Sequence, residues 1–309
     1  MKRDLFMTLL TFLVLGAFSI AGCDDDNPIV ETDYSSEYSE YAANDIASTM
    51  GSDNGGLNDQ FTDLANLVVD SLDMAETAAS DTIVISRERS GPYYNNGQWT
   101  LKLSSQASSS SLTGSWSRGY RYWYSKNTQR QKHFFQKGSG IADSIGFGLI
   151  SDSCSGSYEN AYRTHTLNQL QAEWACRVDS ASNMIRLGST QNYTCQSTDE
   201  VKLGQNTRVS TYTLTLSMSD IEIPIKERFI RGKYVHPRSG TITGTHVASH
   251  KMLSSTGTAL WERSGIERSF EITYSYNAST QTRTVTVTVA GPISSLTKTL
   301  NIETGTVED

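Results

Sequence analysis

Phe270-Glu271-Ile272-Thr273-Tyr274-Ser275-Tyr276 puts a large apolar side chain at every second position, with Glu, Thr and Ser between them. A turn at Asn277-Ala278-Ser279-Thr280 follows, and the alternation resumes with Val285, Val287 and Val289. Successive side chains of an extended chain point to opposite faces, so each segment has one dry and one wet side. The two segments predict an antiparallel hairpin.

The same period of two runs through most of the chain. Ile83 and Ile85, then Trp99, Leu101 and Leu103, then Tyr212, Leu214, Leu216 and Met218 each line one face, and Leu300 with Ile302 suggests a last short strand. The wet positions are mostly Thr and Ser, which suit a pleated, half-exposed surface. Strands dry on one side only belong to antiparallel sheets. The expectation for residues 79–309 is therefore a mainly β domain, a large antiparallel curved sheet that is barrel-like or folded into a sandwich.

Ahead of it, residues 33–78 carry a period of 3.6. Tyr34, Tyr38, Tyr41, Ile46 and Met50 fall on roughly one face, with Asp33 as N-cap and Gly51 as stop. Beyond Gly55-Gly56 the beat returns in Leu57, Phe61, Leu64, Val68 and Leu72. Two helices must bury their stripes, and the concave side of the following sheet is the expected surface.

The first residues read as an export signal. Lys2 and Arg3 precede an apolar run from Leu5 to Ile20, which ends at Ile20-Ala21-Gly22-Cys23. This resembles the lipobox of bacterial lipoproteins, and the resemblance implies that residues 1–22 are removed and Cys23 is acylated. Asp24, Asp25 and Asp26 open an acidic tether over residues 23–32. That run resembles a surface-export signal of lipoproteins of the Bacteroidota, while an aspartate directly after the cysteine resembles an inner-membrane retention signal of enteric bacteria. The resemblance places the chain in a bacterial cell envelope, with the outer membrane or cell surface favoured over the inner membrane.

Composition limits the partners. The 309 residues carry a formal net charge of −7. Losing the signal, with Lys2, Arg3 and Asp4, makes the chain more acidic still. An acidic chain without a Lys/Arg block argues against nucleic acid and against electrostatic attraction to anionic lipid. The membrane partner is then reached through the lipid on Cys23 alone. No later stretch is long and apolar enough to span a bilayer as a helix. Cys154, Cys176 and Cys195 fit no zinc spacing. They are read as one disulfide plus a thiol, or as three thiols.

Residues 116–124 form the most unusual strand. Trp116, Arg118, Tyr120, Tyr122 and Tyr124 share one face and are the candidate ligand-binding residues, a platform for a sugar or apolar molecule. Against this stands a core strand with cross-strand aromatic pairs. Tyr122 and Lys126 have the spacing of a short-chain dehydrogenase pair without the glycine-rich turn, and Ser295 with Lys298 has the spacing of penicillin-recognising enzymes without partner motifs. His246 and His250 would sit ~13 Å apart on a flat strand, too far to share an ion. His236 lies earlier still. These histidines are expected to be exposed or hydrogen-bonded. No metal, cofactor or catalytic constellation is called for. The expected function is non-catalytic binding or structural work, with an apolar ligand, a glycan or an envelope protein held on a β surface. The alternative is an envelope hydrolase whose carboxylates converge only in the fold.

Overall fold

The computed structural model describes residues 28–53, 55–68, 78–80, 83–109, 112–188, 192–225 and 235–308. Cys23, the acidic residues after it, Leu72 and the side chains of Tyr34, Val68, Ile83 and Ile85 lie outside the described residues. Among the described residues two helices come first, α1 (Pro28–Met50) and α2 (Leu57–Val68). Seventeen strands are described after them: β1 (Ala78–Ser80), β2 (Ile83–Asn95), β3 (Gln98–Ser108), β4 (Leu112–Lys126), β5 (Gln129–Gln131), β6 (Phe135–Gln136), β7 (Gly140–Ile141), β8 (Ser144–Asn160), β9 (Arg163–Asp179), β10 (Met184–Leu187), β11 (Asn192–Leu203), β12 (Asn206–Pro224), β13 (Ser239–Leu253), β14 (Ala259–Asn277), β15 (Thr282–Ala290), β16 (Ser295–Asn301) and β17 (Thr306–Glu308).

The sheet is an antiparallel meander in which long strands pair with their sequence neighbours. β10 and β11 lie end to end in one lane between β9 and β12, and β5 to β7 form an excursion between β4 and β8. The hairpin read from the sequence is present: Phe270, Ile272 and Tyr274 pair with Val289, Val287 and Val285. All six side chains are buried. The sheet curves partly around a ring without closing, since β1 and β17 are not paired with each other.

The concave side is filled by the helices. α1 begins at Pro28, five residues before the expected cap at Asp33, because proline in a first helical turn lacks only a donor that would have no partner there. It stops at Met50, and the Gly51 amide bonds to the Ala47 carbonyl at 3.1 Å. From Tyr38 onward α1 is buried on nearly every side, Ser39, Asp45, Ser48 and Thr49 included. α2 is likewise buried from Leu57 to Leu67, with Asn58, Asp59, Gln60, Thr62, Asp63 and Asn66. The expected apolar stripes are present, but the opposite faces are buried too, because the sheet wraps round both helices. A buried polar face needs polar partners, and for Ser48, Thr49 and Asn58 the strands supply Tyr158, Tyr212 and Tyr274.

The interhelix turn is fixed in place. Ser52 and Asp53 donate backbone bonds to the carbonyls of Ile302 and Glu303, between β16 and β17. Gly55 has φ +70° and sits against Trp116, where a Cβ would fall 2.3 Å from the indole. Only glycine meets both demands.

Candidate functional site

Trp116, Arg118, Tyr120, Tyr122 and Tyr124 do share the inner face of β4. The last four are buried and Trp116 is half-buried. Arg118 donates to Asp59 at 2.8 Å, to Asp63 at 2.9 Å and to the Gly55 carbonyl at 2.6 Å. Its guanidinium also lies 3.8 Å from the centre of the Trp116 ring, a cation–π contact. Tyr120 donates to Asp63, and Tyr124 donates to the Leu67 carbonyl at 2.5 Å. Burial works to lower the Arg118 pKa, but Tyr120, Asp59 and Asp63 outweigh it and the net direction is up. This group docks α2 onto β4.

A second polar cluster docks α1. Asp45 lies 3.5 Å from Arg163, 3.9 Å from Arg208 and 3.1 Å from His246. Asp199 pairs with Arg163 and, at 2.7 Å, with His165. Burial pushes the Asp199 carboxyl up, while Arg163 and His165 pull it further the other way, so it stays well below the usual carboxylate range. Burial also raises the Tyr158 and Tyr212 phenols and lowers the Arg208 pKa. His250 is pushed down to about 4, first by burial.

His246 and His250 are fully buried, so exposure is excluded for both, and each has a hydrogen-bonding partner. Their ring centres are 6.4 Å apart, closer than a flat strand would place them. The register between β13 and β14 shifts between Ala248 and His250, with the extra residue on β14, while β13 stays in register with β12 through both histidines. His236 instead lies 3.7 Å from Glu303.

Two serine–histidine pairs arise that no sequence spacing announced. Ser48 Oγ is 3.3 Å from His165 Nδ1, and Ser210 Oγ is 2.9 Å from His250 Nδ1. In a nucleophilic triad the base uses one ring nitrogen for the serine and the other for the carboxylate. Here Ser48 and Asp199 both meet Nδ1 of His165. The gap beside Ser48 and His165 holds about 20 Å³, room for roughly one water. Among the described residues no group of three or more His, Cys, Asp and Glu is placed to hold a metal ion. Cys154, Cys176 and Cys195 are buried free thiols, and burial pushes Cys195 up to about 12. Tyr122 and Lys126 sit on a strand, and Lys298 lies 3.6 Å from Glu40.

The outer face differs in kind. Pairing sets Ser217, Thr243, Glu271, Thr288 and Thr297 side by side across β12 to β16, with Ser219, Thr241, Thr273, Thr286 and Thr299 as a second row. Thr215, Thr245 and Ser269 begin a third. A groove of about 820 Å³ runs over this array, with Glu271 as its carboxylate and no Lys or Arg in its lining. A smaller groove of about 400 Å³ crosses the outer face of β2 to β9, lined by Glu88 and several serines. The wet Thr and Ser positions were visible in the sequence; their alignment into rows depends on the register of five strands.

Compared with models of protein families, with characterised proteins and with solved structures, the chain matches none.

Proposed function

We propose that this chain is a lipid-anchored bacterial envelope protein of non-catalytic type, which binds a glycan on the outer, hydroxyl-lined face of its sheet. The observation that carries the reading is the division of labour between the two faces. The inner face is filled by α1 and α2, whose carboxylates Asp45, Asp59 and Asp63 are engaged by basic side chains of the strands. The outer face carries open grooves. Hydroxyls donate and accept, and a carboxylate accepts from neighbouring sugar hydroxyls, so the groove around Glu271 matches an uncharged polyhydroxyl chain. Its volume lies in the ordinary range for ligand sites, roughly 300–1,000 Å³. Leu216, Phe270 and Ala290 add apolar surface to the lining, which suits the C–H faces of a sugar ring beside its hydroxyls. The hydrolase reading is weaker: the Ser–His pairs are buried, and the Ser48 pair has both partners on one nitrogen.

Titration of the chain with neutral oligosaccharides, followed by chemical shifts of β12 to β15, tests the binding. Glu271→Gln and Thr243→Val should each weaken it without altering the melting temperature. Shifts absent with every glycan, or unaffected by both substitutions, would count against the groove. The anchor has its own test, a mass measurement of the mature amino terminus, which should show acylated Cys23.

A further inference from the structure

The net charge conceals strongly basic stretches, one of which lies wholly within the described residues. Residues 126–142 carry Lys126, Arg130, Lys132 and Lys137 and no carboxylate. They form the last residue of β4, then β5, β6, β7 and their turns, at the end of the sheet where β4 meets β8. The first acid after them, Asp143, is engaged at this turn, accepting from the Asn127 amide at 2.8 Å and the Ser144 hydroxyl at 3.2 Å. The argument from composition against attraction to anionic lipid therefore does not hold for this end of the molecule.

The same end exposes apolar side chains that the fold had means to hide. Phe134 turns inward and meets Tyr124 edge to face at 5.8 Å. Its neighbour Phe135 faces outward, 64% exposed, paired across the ribbon with Ile141, 41% exposed. Tyr93 and Tyr94 on the adjoining β2 are 65% and 41% exposed, and Lys132 Nζ lies 5.2 Å from the Tyr94 ring centre.

The ribbon is not a loose loop. Buried Gln131 donates to the carbonyls of His133 and Phe134 at 2.9 and 3.0 Å and accepts from the Ser139 hydroxyl at 3.1 Å, while the Ala142 amide bonds to the Phe134 carbonyl at 2.8 Å. Gly138 and Gly140 at its tip, with φ +97° and +81°, border open space. An ordered ribbon is thus built to present Phe135 and Ile141, flanked by lysines.

We propose that the β6–β7 ribbon is a second membrane contact, which inserts Phe135 and Ile141 among the headgroups of an anionic bilayer while Lys132, Lys137 and Arg130 engage the phosphates. Aromatic rings suit the boundary of hydrocarbon and water, long cations reach back to the headgroups, and apolar burial with charge attraction together sets interfacial affinity. The proposal takes its setting from the envelope reading, and its test is separate. The full chain carrying Cys23→Ala, which has no acyl group, is sedimented with vesicles of phosphatidylcholine mixed with phosphatidylglycerol and with vesicles of phosphatidylcholine alone. It should bind the mixed vesicles and lose that binding in high salt. Lys132→Glu with Lys137→Glu should weaken binding by about tenfold or more, and Phe135→Ser with Ile141→Ser should also reduce it, with melting temperatures unchanged because these residues are exposed. Equal binding to both vesicle types, no binding to either, or binding unaffected by the substitutions would overturn the proposal. So would binding to a soluble polyanion with none to vesicles. An acylated Cys23 in the wild type alongside any of these results would leave the envelope reading standing.

Discussion

Asp45 Oδ2 lies 3.1 Å from His246 Nε2, although 201 residues separate them in the chain. The contact ties the middle of α1 to β13, and Arg163 and Arg208 approach the other oxygen of the same carboxylate. Asp45→Ala would leave the buried Arg208 and His246 without this carboxylate and remove one of the two that face Arg163. A loss of about 3–5 kcal/mol is expected, measured by urea unfolding. Asp45→Asn keeps hydrogen-bonding capacity and should cost less.

Arg118 serves α2 in the same way. Arg118→Met retains much of the volume but leaves Asp59 and Asp63 buried without their cation, so a loss of about 3–5 kcal/mol is expected. Adding Asp59→Asn and Asp63→Asn should recover part of it. If the triple variant is no more stable than Arg118→Met, the guanidinium is not there to balance those carboxylates.

Acid should destabilise the fold over a defined window. His250 is held neutral in the fold, at about 4 against an ordinary 6.5. The unfolded chain therefore takes up the proton first as pH falls below 6.5. The stability is whole above that pH and declines towards pH 4, by about 2–3 kcal/mol. Asp199, held low, adds a further loss as pH falls below the carboxylate range and through its folded value. Melting temperatures measured from neutral pH downward should fall, and His250→Leu should flatten the upper part of the slope.

Gly55→Ala combines a left-handed backbone with a collision against Trp116. It should cost about 1–3 kcal/mol. In a Trp116→Ala background the collision disappears and the backbone strain stays, so the same change should cost less there. An equal cost in both backgrounds would mean that the indole gives way freely.

The three buried thiols should be inert while the chain is folded. Thiolate is the reactive form, and burial raises all three pKa values. In a chain carrying Cys23→Ala, an alkylating reagent should leave Cys154, Cys176 and Cys195 unmodified without denaturant and label them in its presence, as read by mass spectrometry.

What the sequence determined by itself is local. The period-two alternation at Phe270 to Tyr276 and at Val285 to Val289 fixes which side chains face inward, because adjacent residues of a strand cannot share a face. Gly51 stops α1 for an equally local reason, and the left-handed backbone at Gly55 is local too, although its contact with Trp116 is not. Tertiary structure decided everything that joins distant segments: that Asp45 meets Arg163, Arg208 and His246, that Arg118 is engaged by α2, and that scattered threonines align into rows. Those partners lie tens to hundreds of residues apart, and no periodicity encodes a pairing across such a distance. It decided the orientation of the basic ribbon too, since Phe134 and Phe135 are alike in sequence and only the packing of Tyr124 and Gln131 turns one inward and leaves the other in water.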